Sequence, residues 1–279
     1  MTTTLRPSGP IQRGESGDTS RTYDVCVNGR PVGAVELATH PGFGPSAGVV
    51  RALRIDGPDQ RRGRGTVAAL AAEEVLRGWG CTQILASVPA EATTALRLAA
   101  ALGYTERGRN MAKQLSGPAP ALPEGVEGRP MSEVEFGAWR AGAVESYARN
   151  WMARGVPEEQ ARAKSEADHR TELPDGLATP GAWMRVLTAD ATVVGHLWVA
   201  SREESTGERG MYVFDVEVAE RHRGRGHGRA LMLLAERIAH EAGASLIALH
   251  VFADNTPAVS LYETLGYRVT HHNYVKQLL

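Results

Sequence analysis

The sequence predicts a mixed α/β fold of the α+β kind, repeated in the two halves of the chain. In both halves, short apolar runs rich in β-branched residues alternate with amphipathic stretches at helical spacing. In addition, three short sequence blocks recur in the same order in each half. With 279 residues, 42% of them hydrophobic and 23% charged, the chain is long enough for two globular domains.

The first half is predicted to be mostly strand. Asn28-Gly29 lies between two apolar runs, which is the strongest short-range signal for a β-hairpin. Residues 1–21 are polar and rich in glycine, serine and threonine, so we expect a mobile arm there. The predicted strands cover residues 23–27, 31–37, 49–55, 84–88 and 111–115, and the predicted helices cover 66–77 and 93–101.

A segment rich in proline and glycine, residues 116–125, predicts a linker between the halves. After it, Ser132 and Glu135 form a capping box that starts a helix, and Pro157 with two following glutamates starts another. Later strands are predicted over 183–187, 193–200, 211–218, 246–252 and 268–278, and helices over 229–241 and 257–265. We therefore expect one domain over residues 1–117 and a second over 118–279.

The recurring blocks indicate a tandem duplication, so the two domains should share one fold. Residues 62–65 and 223–226 both read Arg-Gly-Arg-Gly, and residues 102–104 and 265–267 both read Leu-Gly-Tyr. The blocks 110–115 and 273–278 share asparagine, lysine, glutamine and leucine.

Composition excludes several classes of protein. Cys26 and Cys81 are too few for a disulfide framework or a four-thiolate site, and we predict no metal. A net charge of −1 argues against general nucleic-acid binding. No apolar run is long enough to span a bilayer, and the start lacks the apolar core of a secretory signal. We expect a cytoplasmic protein without membrane or nucleic-acid partners. Only three of the 31 basic residues are lysine, which indicates a GC-rich, bacterial coding genome.

The pattern that carries chemistry is a glycine-rich turn in the second half, between a strand that ends at Val218 and a helix that starts near Arg229. Glycines let the backbone approach a ligand, and the free amides of a helix start favour a phosphate. The turn reads Arg223, Gly224, Arg225, Gly226, His227, Gly228. A purely structural turn and an RNA-binding arginine-glycine stretch are the alternatives.

Here the sequence resembles the GNAT acyltransferase superfamily. Arg223, Gly226 and Gly228 fill the pattern Arg/Gln-x-x-Gly-x-Gly/Ala, and Asn255 and Tyr262 match the downstream motif. The resemblance covers about residues 126–279. It implies two tandem folds of this family, each a twisted central sheet flanked by helices, with the second copy intact.

The resemblance also implies an acyl-coenzyme A site. The turn from Arg223 to Arg229 would hold the pyrophosphate, and the pantetheine arm would pair with the strand through Val216 and Val218. Asn255 would border the same ligand, and Tyr262 would protonate the departing thiolate. The alternative for Tyr262 is an aromatic side chain that only packs in the core.

A general base should lie near this strand, because an amine must lose a proton to attack a thioester. Asp215 and Glu217 alternate with valines, which places both carboxylates on one face. A bulge, common in the family, would re-aim either of them. Solvent-facing carboxylates with a base acting through water are the alternative, and His250 is a weaker candidate.

The first copy departs from the family pattern. In the sequence alignment, Val67 stands at the place of Gly228, Ala92 at that of Asn255 and Ala99 at that of Tyr262. The copy also lacks the early helices that build the acceptor site in the family. We expect residues 1–117 to be a degenerate, structural domain.

The leading hypothesis is an enzyme, an N-acyltransferase that moves an acyl group to the amine of a small molecule or peptide. The donor would be acetyl-CoA, a longer acyl-CoA or an acyl carrier protein. A non-catalytic acyl-CoA-binding sensor or partner-binding protein is the alternative. Trp139 and Tyr147 lie on the apolar stripe of a helix and are expected in the core, while Trp151 and Trp198, like Tyr147, could border the acceptor cleft.

Overall fold

The computed structural model of the chain describes residues 2–14, 17–153, 156–203 and 209–278. In chain order the strands are β1 (Thr3–Pro7), β2 (Gln12–Arg13), β3 (Thr19–Val27), β4 (Arg30–His40), β5 (Gly44–Ile55), β6 (Gln83–Pro89), β7 (Thr105–Gln114), β8 (Val126–Pro130), β9 (Ala182–Ala189), β10 (Thr192–Glu203), β11 (Arg209–Val218), β12 (Leu246–Phe252) and β13 (Arg268–Gln277). The helices are α1 (Arg64–Gly78), α2 (Thr93–Ala101), α3 (Glu133–Met152), α4 (Glu158–Glu172), α5 (His227–Glu241) and α6 (Thr256–Thr264).

The chain divides into two compact units whose limits differ from the ends of the sequence repeats. Unit 1 consists of Met1–Gly108 together with His271–Leu279, and unit 2 consists of Arg109–Thr270. The last strand of each repeat is thus exchanged. Most of β7 belongs to unit 2, and most of β13 belongs to unit 1.

Unit 1 is a mixed sheet in the order β1-β3-β4-β5-β6-β13, with β2 paired to β3. β5 and β6 are parallel, and β13 runs antiparallel to β6. Asn28 and Gly29, with φ values of 48° and 82°, make the turn between β3 and β4. These positive φ values suit a two-residue hairpin turn, so the hairpin predicted from Asn28-Gly29 is confirmed.

The expectation of a mobile arm over residues 1–21 was wrong for the described part of that segment. Thr3–Pro7 pairs antiparallel with β3, and Leu5 packs against the buried core of unit 1. β1 is an edge strand with mostly exposed side chains. A polar composition does not separate such an edge strand from an unpaired arm, because both face water.

Unit 2 is a second mixed sheet, in the order β7-β12-β11-β10-β9-β8. α5 covers one face, where Leu197 and Val199 are buried with Leu231. α3 lies on the other face, where Trp139 packs near Trp198. Strand residues alternate between faces, so β10 separates the two cores. The capping box predicted at the start of α3 is present. The Ser132 hydroxyl accepts a hydrogen bond from the Glu135 amide, and the Glu135 carboxylate accepts one from the Ser132 amide.

The exchanged strands make equivalent buried contacts in the two units. In unit 2, Lys113 Nζ donates to both carboxylate oxygens of Glu236 at 2.8 Å and lies 5.8 Å from the ring centre of Tyr267. In unit 1, Lys276 makes the same pair of contacts, with the carboxylate of Glu73 and the ring of Tyr104. Both carboxylates are buried, at 3% and 4% exposure. Each repeat therefore supplies the cation that neutralises a buried acid of the other.

Candidate active site

Two parallel strands of unit 2 separate where the candidate site lies. Residues 210–213 of β11 pair with residues 246–249 of β12, and the pairing described between these two strands ends at Val213 and Leu249. Directly after it, Phe214 is the extra residue of a β-bulge, because Asp215 pairs with Trp198 and Val213 with Val199. The β12-facing edge of β11 beyond the bulge is therefore open to a ligand that can pair with a strand.

The bulge fixes which side chains of β11 share a face. Asp215 lies opposite Trp198 and Glu217 lies opposite His196, on the face that carries α3. The ring of Phe214 stacks on Trp198, with centroids 4.5 Å apart. Both carboxylates thus lie on one face, as strand pleating predicted, and a bulge is present at the strand where the family resemblance implied one.

Asp215 is the centre of a hydrogen-bond network. Its Oδ2 accepts from Trp139 Nε1 at 2.8 Å and pairs with His196 Nε2 at 2.9 Å. Burial alone would raise the pKa of Asp215, but the hydrogen bond and charge of His196, followed by the bond from Trp139, hold that pKa below its usual value. The carboxylate is therefore ionised at neutral pH.

His196 is a site residue that the sequence did not reveal. Burial lowers its pKa, but the hydrogen bond and charge of Asp215, followed by the charge of Glu217, outweigh that effect and raise the pKa above 6.5. Glu217 Oε2 lies 4.0 Å from His196 Nε2. His196 and Asp215 lie 19 residues apart in sequence, and the bulge shifts the pairing of β10 with β11 by one residue. Their contact can therefore be recognised only from the observed register of the two strands.

A cleft of about 350 Å³ opens beside this network. Its polar side chains are His196, Glu217, Glu135 and Arg221, and Trp139 forms part of its wall. Glu135 is occupied by Arg129 and by the amide of Ser132. The remaining lining residues are Met131, Ala138, Val186, Val193, Gly195 and Ala219. Trp139, expected only in the core, thus contributes both to the wall and to the Asp215 network.

The glycine-rich turn forms a helix start with room in front of it. Gly224 and Gly226 have φ values of 75° and 83°, and Gly226 is the N-cap of α5. A Cβ added at either glycine would meet nothing within 4 Å. Since the first amides of a helix have no intrahelical partner, the turn can accommodate a phosphate against its backbone.

The cations around the turn differ in their contacts. Arg223 Nε donates to the carbonyl of Val218 at 3.0 Å, and its Nη2 lies 3.6 Å from Glu217 Oε1. This side chain therefore contacts the end of β11. Arg229 donates to the Thr264 hydroxyl at 2.8 Å. Arg225 is exposed. The ring of His227 lies 6.4 Å from that of His222. Arg225 and His227 are thus the predicted residues of the turn best placed to meet an incoming anion.

Two predicted residues lie at α6. The Asn255 side chain accepts from the amide of Ala258 at 3.3 Å and caps this helix. Tyr262 is 6% exposed, and its hydroxyl has no hydrogen-bond partner within the described ranges. Burial, followed by the charge of Asp215, raises the pKa of Tyr262 to about 12. Its phenol is therefore protonated over the whole neutral range and can donate a proton. Val216 and Val218 pack partly against the core on the α5 side.

The alignment of Val67 with Gly228 was wrong by two positions. Gly63 is the N-cap of α1 as Gly226 is of α5, so Gly65 occupies the place of Gly228. An added Cβ at Gly65 would meet Leu98 and Ile55, and one at Gly228 would meet their counterparts Leu261 and Val218. The second copy repeats Arg-Gly before the N-cap, so the identical residues 62–65 and 223–226 align two positions away from the match that the helix starts give. The turn of unit 1 is therefore intact in its glycines.

Unit 1 nevertheless lacks counterparts of the titratable side chains of the unit 2 site. Its register shifts at the equivalent bulge, between Glu36 and Leu37 of β4, which leaves Arg51 as the extra residue of β5. Relative to that bulge, Ala52 replaces Asp215, Arg54 replaces Glu217, and Ala34 replaces His196. At α2, Ala92 is an N-cap without a side-chain bond and Ala99 stands for Tyr262, as the sequence predicted.

A helix start that can accept a phosphate, beside a strand whose edge is open to a ligand, is the arrangement expected of an N-acyltransferase. The model of the acetyltransferase (GNAT) family matches the chain twice, over residues 5–104 and 144–267. The chain belongs to this family, as the resemblance implied. Enzymes of this family generally use acetyl-CoA as co-substrate.

Relatives support the same assignment. An uncharacterized N-acetyltransferase of Bacillus subtilis, YdgE, is 34% identical over 151 residues, which are 53% of this chain and 95% of that protein. The mycothiol acetyltransferase of Thermobispora bispora is 31% identical over 244 residues, which are 83% of this chain and 71% of that protein. A GCN5-related N-acetyltransferase from Sphaerobacter thermophilus shares the fold, with a TM-score of 0.58 and 21% identity over 92% of this chain and 80% of that one.

A tandem GNAT protein from the clavulanic acid biosynthesis pathway is also similar, with a TM-score of 0.51 and 20% identity over 95% of this chain and 85% of that one. Its likeness supports the tandem arrangement of the fold. Among the helices that the structure describes, none combines the length and the apolar character needed to cross a membrane.

Proposed function

We propose that unit 2 transfers an acyl group, most simply acetyl from acetyl-CoA, to a primary amine of a small molecule or peptide. One observation carries this proposal. The Asp215–His196 network and Tyr262 accompany the glycine-rich turn in unit 2, whereas alanine occupies the corresponding positions in unit 1. A protein that only bound the donor would need the turn but not these groups.

The donor is held by the turn and by the open edge of β11. The amides at the start of α5 bind the pyrophosphate, with Arg225, His227 and Arg229 at its border. The main chain at Val216 and Val218 pairs with the amides of the pantetheine arm. Arg223 keeps the strand end in place through Val218, and Asn255 keeps the start of α6 in place.

Proton transfers accompany the exchange of bonds. An acceptor that arrives as an ammonium ion first gives one proton to a base beside Asp215 and Glu217, which frees the nitrogen lone pair. The amine nitrogen then forms a bond to the acyl carbon while the carbon–sulfur bond breaks. Tyr262 gives its proton to the leaving thiolate, and the nitrogen loses its second proton to water as the amide forms. Exchange with water restores the base and the tyrosine.

The cleft favours a small, cationic acceptor. Its volume of about 350 Å³ suits a compact molecule, and Glu217 and the face of Trp139 suit an amine that arrives as an ammonium ion. Mycothiol acetyltransferases among the relatives, one of them similar over 83% of this chain, support a metabolite rather than a protein surface as acceptor.

Release of free CoA from acetyl-CoA, measured with a panel of tyramine, spermidine, glucosamine and a lysine-containing peptide, tests the proposal. Amide formation is checked by mass spectrometry, which separates transfer from hydrolysis. Parallel reactions with octanoyl-CoA and acetylated acyl carrier protein compare the donors. We expect turnover with at least one small amine and acetyl-CoA. Tight acetyl-CoA binding with no amide product from any amine would instead support a donor-binding sensor.

A further inference from the structure

We propose that His196 is the general base of the acyl transfer, that its Nδ1 atom accepts the amine proton, and that Asp215 positions its ring. This inference rests on the proposed function and adds a residue to it. His196 lines the cleft together with Glu217 and Trp139, so its ring borders the space where an amine would lie.

The hydrogen bonds at Asp215 determine the tautomer of His196. An ionised carboxylate only accepts hydrogen bonds, and Asp215 Oδ2 already accepts from Trp139 Nε1 at 2.8 Å. The contact of 2.9 Å to His196 Nε2 therefore requires a proton on Nε2. In the neutral imidazole the other nitrogen, Nδ1, then carries the free lone pair.

The free nitrogen of His196 is accessible. Within the described ranges, Nδ1 has no hydrogen-bond partner, and the atom is accessible to solvent. The side chain of His196 is 25% exposed and that of Asp215 is 33% exposed, but Asp215 Oδ2 already accepts from two donors. A base needs a lone pair that the substrate can reach, and His196 offers one.

Carboxylates of β11 are less suited to the proton transfer itself. Asp215 uses Oδ2 for two hydrogen bonds, and its lowered pKa makes it a weak base at neutral pH. Glu217 is 51% exposed and lies 3.6 Å from Arg223. His196 is the group in this cluster whose protonation changes near neutral pH.

The charged groups around His196 make its titration predictable. Asp215 and Glu217 face it from β11, with Arg221 in the cleft wall and Arg223 behind Glu217. α3 contributes Glu135, which is paired with Arg129, and α4 contributes His169, whose ring centroid lies 5.9 Å from that of Trp139. The nearest of these groups, Asp215, is the one whose removal should change the pKa of His196 most.

The test uses the full chain, acetyl-CoA and the amine of the panel with the fastest turnover. Wild-type kcat should rise with pH through an acid limb with a pKa above 6.5. His196→Gln keeps a donor for Asp215 but has no base, so kcat should fall by about 10²–10⁴-fold and the limb should disappear. Asp215→Asn should move the limb to lower pH. Glu217→Gln should move it in the same direction by less.

Two further measurements separate a base from a residue that only supports the fold. Imidazole added to His196→Ala should restore part of the turnover, and ¹⁵N spectra of the wild type should show the proton of neutral His196 on Nε2. Loss of the acid limb in Glu217→Gln, with the limb unchanged in His196→Gln, would overturn the role of His196 and leave the acyl transfer standing. No amide product from the wild type with any amine would overturn both.

Discussion

Tyr262 shows how the structure changes the chemistry available to one residue. Its ring is buried and its centroid lies 5.9 Å from that of Tyr267, as expected of a residue that packs in the core. Its hydroxyl, however, makes no hydrogen bond to the described residues. Burial and the charge of Asp215 raise its pKa to about 12. The phenol therefore stays protonated at physiological pH, and the ring and the hydroxyl have separable roles.

Tyr262→Phe should lower kcat by about 10²–10⁴-fold with little change in donor KM, because only the proton for the thiolate is lost. The acid limb of the pH profile should stay where it is, since Tyr262 does not titrate there. Steady-state kinetics check this. Tyr104→Phe, which removes a tyrosine hydroxyl of unit 1 outside the candidate site, is the control. Turnover within about threefold of the wild type would mean that Tyr262 only packs and that solvent protonates the thiolate.

At the scale of elements, the sequence predicted the parts better than their pairing. The hairpin at Asn28-Gly29, the capping box of α3 and the strand–turn–helix around Gly226 are local features, written in adjacent residues. The edge strand β1 and the link from His196 to Asp215 depend on which strands lie side by side. A one-residue bulge changes such pairings without leaving a mark in composition.

The helix starts of the two units allow a matched test of the turn. Gly226→Ala and Gly63→Ala both place a side chain at a positive φ, of 83° and 74°, in open space. Each should lower the free energy of unfolding by about 1 kcal/mol, because a residue with a Cβ atom is disfavoured in the left-handed backbone region. Only Gly226→Ala should raise the acetyl-CoA KM for transfer, because in the proposed mechanism its turn holds the reacting donor.

Urea unfolding and steady-state kinetics measure the two effects. Equal losses of transfer in Gly226→Ala and Gly63→Ala would contradict the assignment of the reaction to unit 2. Calorimetric titration with CoA adds a separate point. Since Gly65 preserves the turn of unit 1, the glycines alone do not restrict CoA to unit 2, and the titration gives the number of sites.

At the scale of the whole molecule, each repeat depends on the other for a buried ion pair. Glu236 is 3% exposed, and its carboxylate is neutralised by Lys113 from the first repeat. Glu73 has the same relation to Lys276 from the second repeat. A buried carboxylate without a counter-charge is strongly unfavourable. The predicted boundary between residues 117 and 118 separates the sequence repeats, but a cut there would remove β7 from the compact unit that holds the candidate site.

Lys113→Met should lower the free energy of unfolding by about 3–5 kcal/mol, because it strands the Glu236 carboxylate. The double variant Lys113→Met/Glu236→Leu should recover most of that loss, since no charge is left buried. Arg162→Met is the control, because Arg162 pairs with exposed Glu145 and Glu158 and should cost less than about 1 kcal/mol. Urea unfolding measures all three. A loss in Lys113→Met no larger than in Arg162→Met would show that the Lys113–Glu236 pair does not stabilise unit 2.

The exchange of last strands also sets a timetable for protein synthesis. Unit 2 receives residues 109–114, which leave the ribosome before the rest of its sequence. Unit 1 needs residues 271–277, which are translated only after all of unit 2, and β6 keeps an open edge until they arrive. Domains of nascent chains usually fold from the N-terminus onward. Here the order is reversed at the final step: the unit that is translated first is the last to close.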